Sequence, residues 1–484
     1  MKADVIVVGG GGTGLSAAIE AAAHGAQVLL LEKNPCPGGT TAMSVGSLTA
    51  TRTAYQERAG VVDEPQHHYE DIALFSKDGR ADNDTLRRVL TENVPETVNW
   101  LSSLGVQFLG PLEDPPHRKP RMHVVLPTSR SYIYHLEKHA RKLGVQIVTN
   151  ARARHLIVSN GEVTGVEFDQ SGTTAVMAYA ARGVVLASGD YTANPDMKRK
   201  YISDVAANTE PINPNNTGDG QQMAMELGAN IKNADSHSAG LRFVAPANPS
   251  WISRIPPWRG LMGVVKFAIR YAPPALVRKF IMGFITTVTV PAHELFNSGA
   301  MLIAKNGVRI PVDKKAVVAE LTKQPEGIGY IVFDRTIADK FSKWPHFVST
   351  APGVAYAYLQ DYEQNRRDLF SKSDTLEGLA GLLGIDAVKM KEAAATHAAP
   401  LREAPYYALG PVKNYINYAD GGLIISERLE VLDANGRAIL RLFAGGSVGQ
   451  GGLLLRGHGH HLGWAFTSGR LAGKYAAQLS PRSS

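Results

Sequence analysis

The stretch DVIVVGGGGTG, residues 4–14, sets the architecture of this 484-residue chain. Its β-branched half, Asp4 to Val8, predicts a buried parallel strand, and the Ala-rich stretch from Leu15 to His24 predicts a helix. A second apolar strand is predicted from Gln27 to Leu31, with Glu32 at its end. A glycine turn between strand and helix, followed by a strand that ends in an acidic residue, is typical of a dinucleotide-binding fold.

The glycines of this turn have separate physical tasks. Gly9 allows the tight turn, Gly11 lets a pyrophosphate approach the backbone, and Gly14 lets helix and strand pack closely. The N-terminus of the helix presents unpaired N–H groups to the phosphates. Glu32 would accept hydrogen bonds from a ribose diol, which favours an adenosine with a free 2′-hydroxyl.

The loop that follows Glu32 separates two candidate cofactors. Its sequence, KNPCPGGTTAMSVGSL, covers residues 33–48 and is rich in glycine and hydroxyl groups. It is positioned to reach the same pyrophosphate as the first glycine turn. An NAD dehydrogenase does not usually need a second cradle at this position, so the loop favours FAD.

Length and composition bound the rest of the chain. With 484 residues, 44% of them hydrophobic, two domains are expected, one inserted in the other. The single cysteine, Cys36, excludes an intrachain disulfide and a cysteine-based zinc site. The N-terminus runs directly into the first strand without a basic leader, which predicts a cytoplasmic protein.

The net charge of +7 is concentrated in one segment. From Ser236 to His293 the chain has no Asp or Glu and seven basic residues, so the remainder is balanced, 44 against 44. The basic residues of the segment are Arg242, Arg254, Arg259, Lys266, Arg270, Arg278 and Lys279. This distribution argues against a nucleic-acid partner.

Aromatic and aliphatic residues alternate with these charges between residues 251 and 290. Such a mixture suits a surface that sinks partway into an anionic membrane, which predicts peripheral binding at the inner face. A lid that covers the core of its own domain explains the pattern as well, and both interpretations stay open. The longest charge-free run, Phe280 to His293, is shorter than the roughly 18–20 apolar residues of a spanning helix.

Several motifs resemble the flavoproteins typified by the fumarate reductase and succinate dehydrogenase flavoprotein subunits, together with the 3-ketosteroid dehydrogenases. The hallmark is the Gly38-Gly39-Thr40-Thr41 loop after an acidic residue. Further matching segments are residues 144–168, 183–194, 215–229 with its TGDG turn, 298–310 and 403–449. The resemblance implies an α/β fold, with a Rossmann-like, glutathione-reductase-like FAD-binding domain and an inserted α+β substrate or cap domain. The predicted boundaries are 1–235 and 403–484 for the FAD-binding domain and 236–402 for the cap domain.

The same resemblance implies the cofactor site. No histidine lies between Gly38 and Leu48, where succinate dehydrogenases attach flavin covalently, so FAD is expected to be noncovalent. The predicted FAD-binding residues are Gly9, Gly11, Gly12, Thr13, Gly14, Glu32, Lys33, Gly38, Gly39, Thr40, Thr41, Gly46, Ala153, Ser188, Gly189, Asn194, Asp219, Gly446, Ser447, Gly459 and Leu462.

The segment LLLRGHGHHLGWAFTSGRLAG, residues 453–473, packs three histidines between glycines. The resemblance implies a glycine turn and a helix whose N-terminus points at the pyrimidine edge of the flavin, where it stabilises negative charge. Three imidazoles so close in sequence can seldom converge on one ion, so no metal is predicted. Contact of His458, His460 or His461 with substrate, and packing alone, are both open.

The substrate class is inferred from positions at which this sequence departs from the family's motifs. Fumarate reductases hold a dicarboxylate with arginines. One of these arginines falls on His461 in the resemblance, and the proton-donating one falls at or near Val317. The 3-ketosteroid dehydrogenases are closer in function because their site is apolar, although their tyrosine before the glycine turn falls on Leu455.

These observations predict an FAD-dependent dehydrogenase that introduces a C=C bond next to a ketone in a hydrophobic, steroid-like substrate. A base would remove the proton α to the ketone while flavin N5 takes the hydride from the β carbon. The candidate catalytic residues are His293, Tyr415, Tyr418, His458, His460 and His461. The electron acceptor is not identified by the sequence. Two alternatives are an enoate or enone reductase of the fumarate reductase type and a membrane-peripheral flavin-binding protein with little turnover.

Overall fold

The glycine stretch near the start of the chain folds as a strand, a turn and a helix. Strand β1 (Lys2–Val8) is followed by helix α1 (Gly12–Ala23) and strand β2 (Val28–Leu31). The two strands pair in parallel, with Val5 opposite Val28. The helix begins three residues earlier than predicted, because the glycine turn itself enters the first helical turn. The structure is a computed structural model and describes residues 1–76, 79–248, 251–288, 290–351 and 355–482.

The strands that follow in these ranges are β3 (Ser47–Thr49), β4 (Gln107–Leu112), β5 (Met122–Leu126), β6 (Gln146–Val148), β7 (Ala151–Ser159), β8 (Glu162–Gln170), β9 (Thr173–Leu186), β10 (Glu210–Pro211), β11 (Ile231–Lys232), β12 (His237–Phe243), β13 (Met301–Ala304), β14 (Arg309–Ile310), β15 (Ile328–Phe333), β16 (Ser349–Ala351), β17 (Ala355–Ala357), β18 (Phe370–Ser373), β19 (Tyr406–Ala419), β20 (Gly422–Leu423), β21 (Glu430–Leu432) and β22 (Ala438–Ala444).

The helices after α1 are α2 (Gly39–Met43), α3 (Ala54–Arg58), α4 (Pro65–Ala73), α5 (Asp84–Ser103), α6 (Arg130–Lys142), α7 (Pro195–Tyr201), α8 (Asp204–Asn208), α9 (Asp219–Met225), α10 (Arg259–Tyr271), α11 (Pro274–Val288), α12 (Glu294–Asn297), α13 (Lys314–Thr322), α14 (Arg335–Lys340), α15 (Leu359–Asn365), α16 (Leu376–Leu383), α17 (Ala387–Ala395) and α18 (His460–Gln478). Two short 3₁₀ helices span Trp251–Arg254 and Pro325–Gly327.

Both ends of the chain build the first sheet. Its order is β21-β22-β9-β1-β2-β6, and strands β7 and β8 extend it from β9 as an antiparallel meander. Strands β22, β9, β1, β2 and β6 pair in parallel, and α18 packs against α1. The central strands are buried on both faces, as expected for a parallel sheet covered by helices. This part is the Rossmann-like domain that the sequence predicted.

A second, mostly antiparallel sheet forms the inserted α+β domain. Its order is β10-β19-β15-β13-β14, with β12 and β18 also paired to β19. Two of its strands, Glu210–Pro211 and Tyr406–Ala419, lie outside the range 236–402 predicted for this domain. The second sheet therefore extends beyond both predicted boundaries of the cap domain. The domain boundaries themselves stay a prediction.

A small sheet, β3-β5-β4, lies against the helical segment 251–288. Helices α10 and α11 of that segment contact each other, and α10 contacts β4. Within the ranges that the structure describes, no helix has the length and hydropathy to cross a bilayer.

Candidate active site

Two glycine loops face each other across a cleft of about 790 Å³. A Cβ added to Gly39 would lie 3.3 Å from the Cα of Gly11, so the two backbones approach closely. Helix α1 begins after Gly11 and helix α2 after Gly38, and within the described residues neither N-terminus has a side-chain cap or an acid in its first turn. Both therefore present N–H groups suited to a pyrophosphate.

The base of this cleft tolerates only glycine. A Cβ added to Gly14 would lie 1.8 Å from the carbonyl oxygen of Gly9. Gly9 itself has a φ of +109°, a conformation that other residues rarely adopt. The strand-to-helix turn can therefore be this tight only with the glycines that the sequence supplies.

Glu32 closes the cleft at the end of β2. Its carboxylate accepts hydrogen bonds from the backbone N–H of Gly10 at 2.7 Å and of Asn34 at 2.8 Å. A carboxylate has about four acceptor sites, so capacity for a ribose diol remains. The small side chains of Ala151 and Ala153 line the same cleft and leave room beside the glutamate.

An asparagine pair that sequence reasoning missed also lines the cleft. Asn213 and Asn216 both donate to the hydroxyl of Thr40, at 2.9 and 3.1 Å, and Asn216 also donates to Asp190 at 2.9 Å. Burial raises the pKa of Asp190. The sequence signal was available, because these asparagines directly precede the TGDG turn, whose Asp219 lines the cleft.

Most residues predicted at FAD line this cleft. They are Gly9, Gly11, Gly12, Thr13, Glu32, Lys33, Gly39, Thr40, Thr41, Ala153, Ser188, Gly189, Asp219 and Ser447. The others, which do not line it, are Gly14, Gly38, Gly46, Asn194, Gly446, Gly459 and Leu462.

The second group has structural contacts. Gly46 is packed so that a Cβ would lie 2.5 Å from Val125, and Asn194 caps α7 and donates to the carbonyl of Thr217 at 3.0 Å. Gly459 begins α18 in a left-handed conformation, and within the described chain that helix has no side-chain cap. The open N-terminus of α18 fits the predicted role of stabilising negative charge on a flavin.

The three histidines of residues 453–473 lie in three different environments. His461 packs against Tyr418 with ring centroids 4.3 Å apart, and burial lowers its pKa to about 4. Its Nε2 has no hydrogen-bond partner among the described residues. His461 is therefore a neutral imidazole at pH 7, with one ring nitrogen available to a ligand.

His460 belongs to a buried group of imidazoles. Its Nδ1 donates to the carbonyl of Arg456, so its Nε2 accepts from Nε2 of His68 at 3.3 Å. With His117 these rings offer ligand atoms within 4.8 Å of one another. Arg121 donates to Nδ1 of His117 at 2.9 Å, which leaves the proton on Nε2 of that ring. This tautomer disfavours metal ligation, and the prediction of no metal stays a prediction.

Burial also governs the charge of this group. It lowers the pKa of His460 to about 3 and that of His117 to about 4, and it holds the pKa of His68 well below its usual value. All three rings are therefore neutral at pH 7. His68 and His117 are far from His460 in sequence, and the sequence analysis did not connect them.

His458 differs from both neighbours because it is half exposed and paired with an acid. Its Nδ1 lies 3.0 Å from the carboxylate of Asp114, and this hydrogen bond raises the pKa of His458. The half-exposed imidazole thus pairs with a buried carboxylate.

Arg456 is a candidate site residue that the sequence analysis did not select. Its guanidinium lies 2.9 Å from the buried carboxylate of Asp420 and 3.2 Å from the hydroxyl of Tyr418. The family's arginine was assigned to the position of His461, but the arginine of this segment lies five residues earlier. The positive charge next to Tyr418 therefore comes from Arg456.

His293 lines a cavity of about 940 Å³ in the second domain, where the sequence predicts the substrate side of the site. Arg242 and Asn417 line it as well, and Arg242 donates to the side-chain oxygen of Asn417 at 3.0 Å. Nδ1 of His293 is buried and has no hydrogen-bond partner in the described part of the chain. Val317, at or near the position that the resemblance assigns to a proton-donating arginine, is a further lining residue.

Tyr415 and Tyr418 lie on β19 opposite β12, which supplies part of this cavity wall. Tyr415 is opposite Gly240, and burial raises the pKa of its phenol. Tyr418 lies on β19, just before the glycine pair of residues 421–422, and its ring contacts that of His461. The structure thus brings Tyr418 and His461 together and places His293 in a separate group with Arg242.

A further cavity of about 760 Å³ lies between the small sheet and helices α10 and α11. All its lining residues are apolar: Val45, Leu109, Val124, Val125, Leu126, Pro127, Ile252, Ile255, Val265, Ile269, Ile281, Phe284 and Ile285. Val45 follows Thr41 of the cleft by four residues, and Ile285 precedes His293 by eight. The apolar cavity is therefore lined by residues that are close in sequence to residues of both other cavities.

Comparison with known proteins agrees with this geometry. Residues 4–241 match the family described as FAD binding domain. The chain is 26% identical to the vinyl phenol reductase of Lactiplantibacillus plantarum, over 99% of this chain and 97% of that protein. It is 26% identical to the open conformation of a flavocytochrome c3 fumarate reductase, with a TM-score of 0.75, over 99% of this chain and 78% of that one.

A third similar structure is the 3-ketosteroid-Δ4-(5α)-dehydrogenase of Rhodococcus jostii RHA1. It is 22% identical with a TM-score of 0.62, over 99% of this chain and 97% of that one, and shows the fold alone. The cleft, the match to the FAD binding domain and these similar proteins together show an FAD-dependent oxidoreductase. The chain is thus similar to FAD-binding flavoproteins that include a fumarate reductase.

Proposed function

We propose that the protein is a dehydrogenase that introduces a C=C bond next to a neutral ketone in an apolar, steroid-like substrate. The apolar cavity carries this proposal, because its lining offers nothing to a charged substrate. Val317 supports it, since an apolar side chain there removes one of the cations that a dicarboxylate requires.

The cavity of His293 supplies the polar end of such a site. Arg242 and Asn417 would hold the ketone oxygen, and the positive charge of Arg242 would acidify the neighbouring C–H bond. His293, which lines the same cavity, would take that proton. FAD, when bound, supplies the hydride acceptor. The carbon–carbon double bond then forms as the proton goes to His293 and the hydride leaves the β carbon.

The test is the anaerobic visible absorbance of the holoenzyme mixed in turn with a panel of 3-ketosteroids and with succinate. Bleaching by a steroid and not by succinate is the expected result. His293→Asn should slow this bleaching by about 10²-fold or more, the usual contribution of a positioned base. His397→Asn, in the same domain but outside the cavity, is the matched control. Bleaching by succinate alone would refute the proposal.

Reduction of a conjugated C=C bond is the second candidate, favoured by the names of the relatives that act as reductases. The same residues serve this direction, because His293 would then return a proton to the α carbon. Reoxidation of the chemically reduced holoenzyme by enones, 4-vinylphenol or fumarate distinguishes the substrates. Reoxidation without any bleaching by ketosteroids would select this candidate.

A further inference from the structure

Helix α10 is apolar on two sides. Val265 and Ile269 face inward and line the apolar cavity. Val264, Phe267 and Tyr271, spaced by three and four residues, lie on the outer side and are 63–65% exposed. The apolar surface of α10 is thus wider than the side that lines the cavity. The outer side of α10 therefore calls for a covering environment.

The exposed apolar surface continues beyond this helix. Trp251 and Trp258 precede α10 and are 56% and 58% exposed, and Leu276 at the start of α11 is 61% exposed. We call residues 251, 258, 264, 267, 271 and 276 the outer face. Tryptophan and tyrosine are enriched where proteins meet the membrane–water interface, because the rings have an apolar body and a polar edge.

The segment that forms the outer face carries only positive charges. Arg254, Arg259 and Arg270 are exposed beside it, and no acidic residue occurs between residues 236 and 293. Two other cations of the segment have partners within the protein, since Lys266 donates to Gln107 at 2.7 Å and Arg278 pairs with Asp361. Three exposed arginines around aromatic side chains match the negative surface of an anionic leaflet.

We propose that the outer face docks on an anionic lipid bilayer, with its aromatic side chains at headgroup depth. A second copy of the chain fits less well, because a two-fold interface would bring the same arginines of both copies together. The inference goes beyond the proposed function and does not depend on it, since lipid binding needs no turnover.

The test is sedimentation of the holoenzyme with vesicles of phosphatidylcholine, with and without phosphatidylglycerol. We expect binding only with phosphatidylglycerol, and weaker binding as salt is added. Arg254→Gln and Arg259→Gln should each weaken binding roughly fivefold. Phe267→Ser combined with Tyr271→Ser should remove it. Flavin absorbance of each variant shows whether the fold and cofactor are retained.

Matched controls exist on other helices of the same domain. Leu382 on α16 and Val388 on α17 are 63% and 65% exposed, so Leu382→Ser with Val388→Ser removes apolar side chains of similar fractional exposure. Arg402→Gln removes an exposed cation there. These variants should bind vesicles like the unchanged protein.

Three outcomes would overturn the proposal. They are absence of sedimentation, equal loss of binding in the controls, and a dimer in analytical ultracentrifugation that Phe267→Ser with Tyr271→Ser dissociates. The last would assign the outer face to a second copy.

Discussion

The FAD cleft and the substrate-side cavities are built by opposite means. In the cleft, backbone atoms of glycine turns form the walls, as where Gly14 packs on Gly9. On the substrate side, long side chains from distant segments meet, as where Arg456 reaches Asp420 and Tyr418. A backbone site is encoded locally and allows almost no substitution, whereas a side-chain site depends on the whole fold and can change its chemistry residue by residue.

Gly14→Ala should break the cleft and have the largest effect. The new Cβ would lie 1.8 Å from the carbonyl oxygen of Gly9, so β1 and α1 must separate. We expect loss of bound flavin and a fall of at least about 3 kcal/mol in the free energy of unfolding. Flavin absorbance and urea denaturation measure both.

Gly381→Ala is the control for that substitution. Gly381 lies exposed in α16, and a Cβ there meets no atom within 4 Å. Flavin content should be unchanged and the protein should gain up to about 1 kcal/mol from helix propensity. Equal damage by the two substitutions would contradict the backbone account of the cleft.

Arg456→Gln should have the second largest effect, and it tests the side-chain contacts on the substrate side. Asp420 is fully buried, and removal of its cation leaves an uncompensated charge that costs about 3–5 kcal/mol. Asp420→Asn in the same chain should recover part of this loss, as thermal or urea denaturation would show. Arg437→Gln, which breaks an exposed pair with Asp433, should cost less than about 1 kcal/mol. Similar losses in both pairs would argue against the burial of Asp420.

Acid should destabilise the protein through the buried imidazoles of His68, His117 and His460. Their pKa values are lowered in the fold, so below about pH 6.5 the unfolded chain binds more protons than the native chain. The free energy of unfolding should therefore fall as pH falls from 6.5 towards 4, by up to about 1.4 kcal/mol per pH unit for each histidine. Urea denaturation at several pH values measures this slope, and His460→Asn should reduce it. An unchanged slope in that variant would show that His460 titrates normally.

His458, two residues away, should show the smallest effect and the opposite sign. Its pKa is raised by Asp114, so its contribution to stability is complete below about pH 6.5 and is lost as pH rises through the raised pKa. His458→Gln should lower stability slightly at pH 6 and leave it unchanged at pH 9. A larger effect at pH 9 than at pH 6 would contradict the pairing with Asp114.

The same contrast explains what could be predicted from the sequence. The strand–turn–helix and the two glycine loops were predicted because their geometry depends on residues a few positions apart. Each glycine loop leads into a helix N-terminus, and Gly39 of one loop faces Gly11 of the other. The asparagines at 213 and 216 could also have been found beside the TGDG turn.

The side-chain groups could not be predicted in this way. His460 meets His68 across 392 residues of sequence, and His458 meets Asp114 across 344. Contacts of this kind depend on how α4 and the loop before β5 pack on the start of α18, which no local pattern reveals. For the same reason Arg456 was passed over in favour of its histidine neighbours.

The assembly of the first sheet from both chain ends has a consequence for synthesis. Strand β22 completes the parallel sheet beside β9, and α18 packs on α1, yet almost 300 residues separate Leu186 from Gln478. At typical rates of translation these residues take roughly 15 to 60 s to emerge. During that interval the nascent chain exposes one edge of β9 and cannot form the complete cleft. Flavin loading should therefore follow the synthesis of α18, and until then the growing chain is a natural client for chaperones.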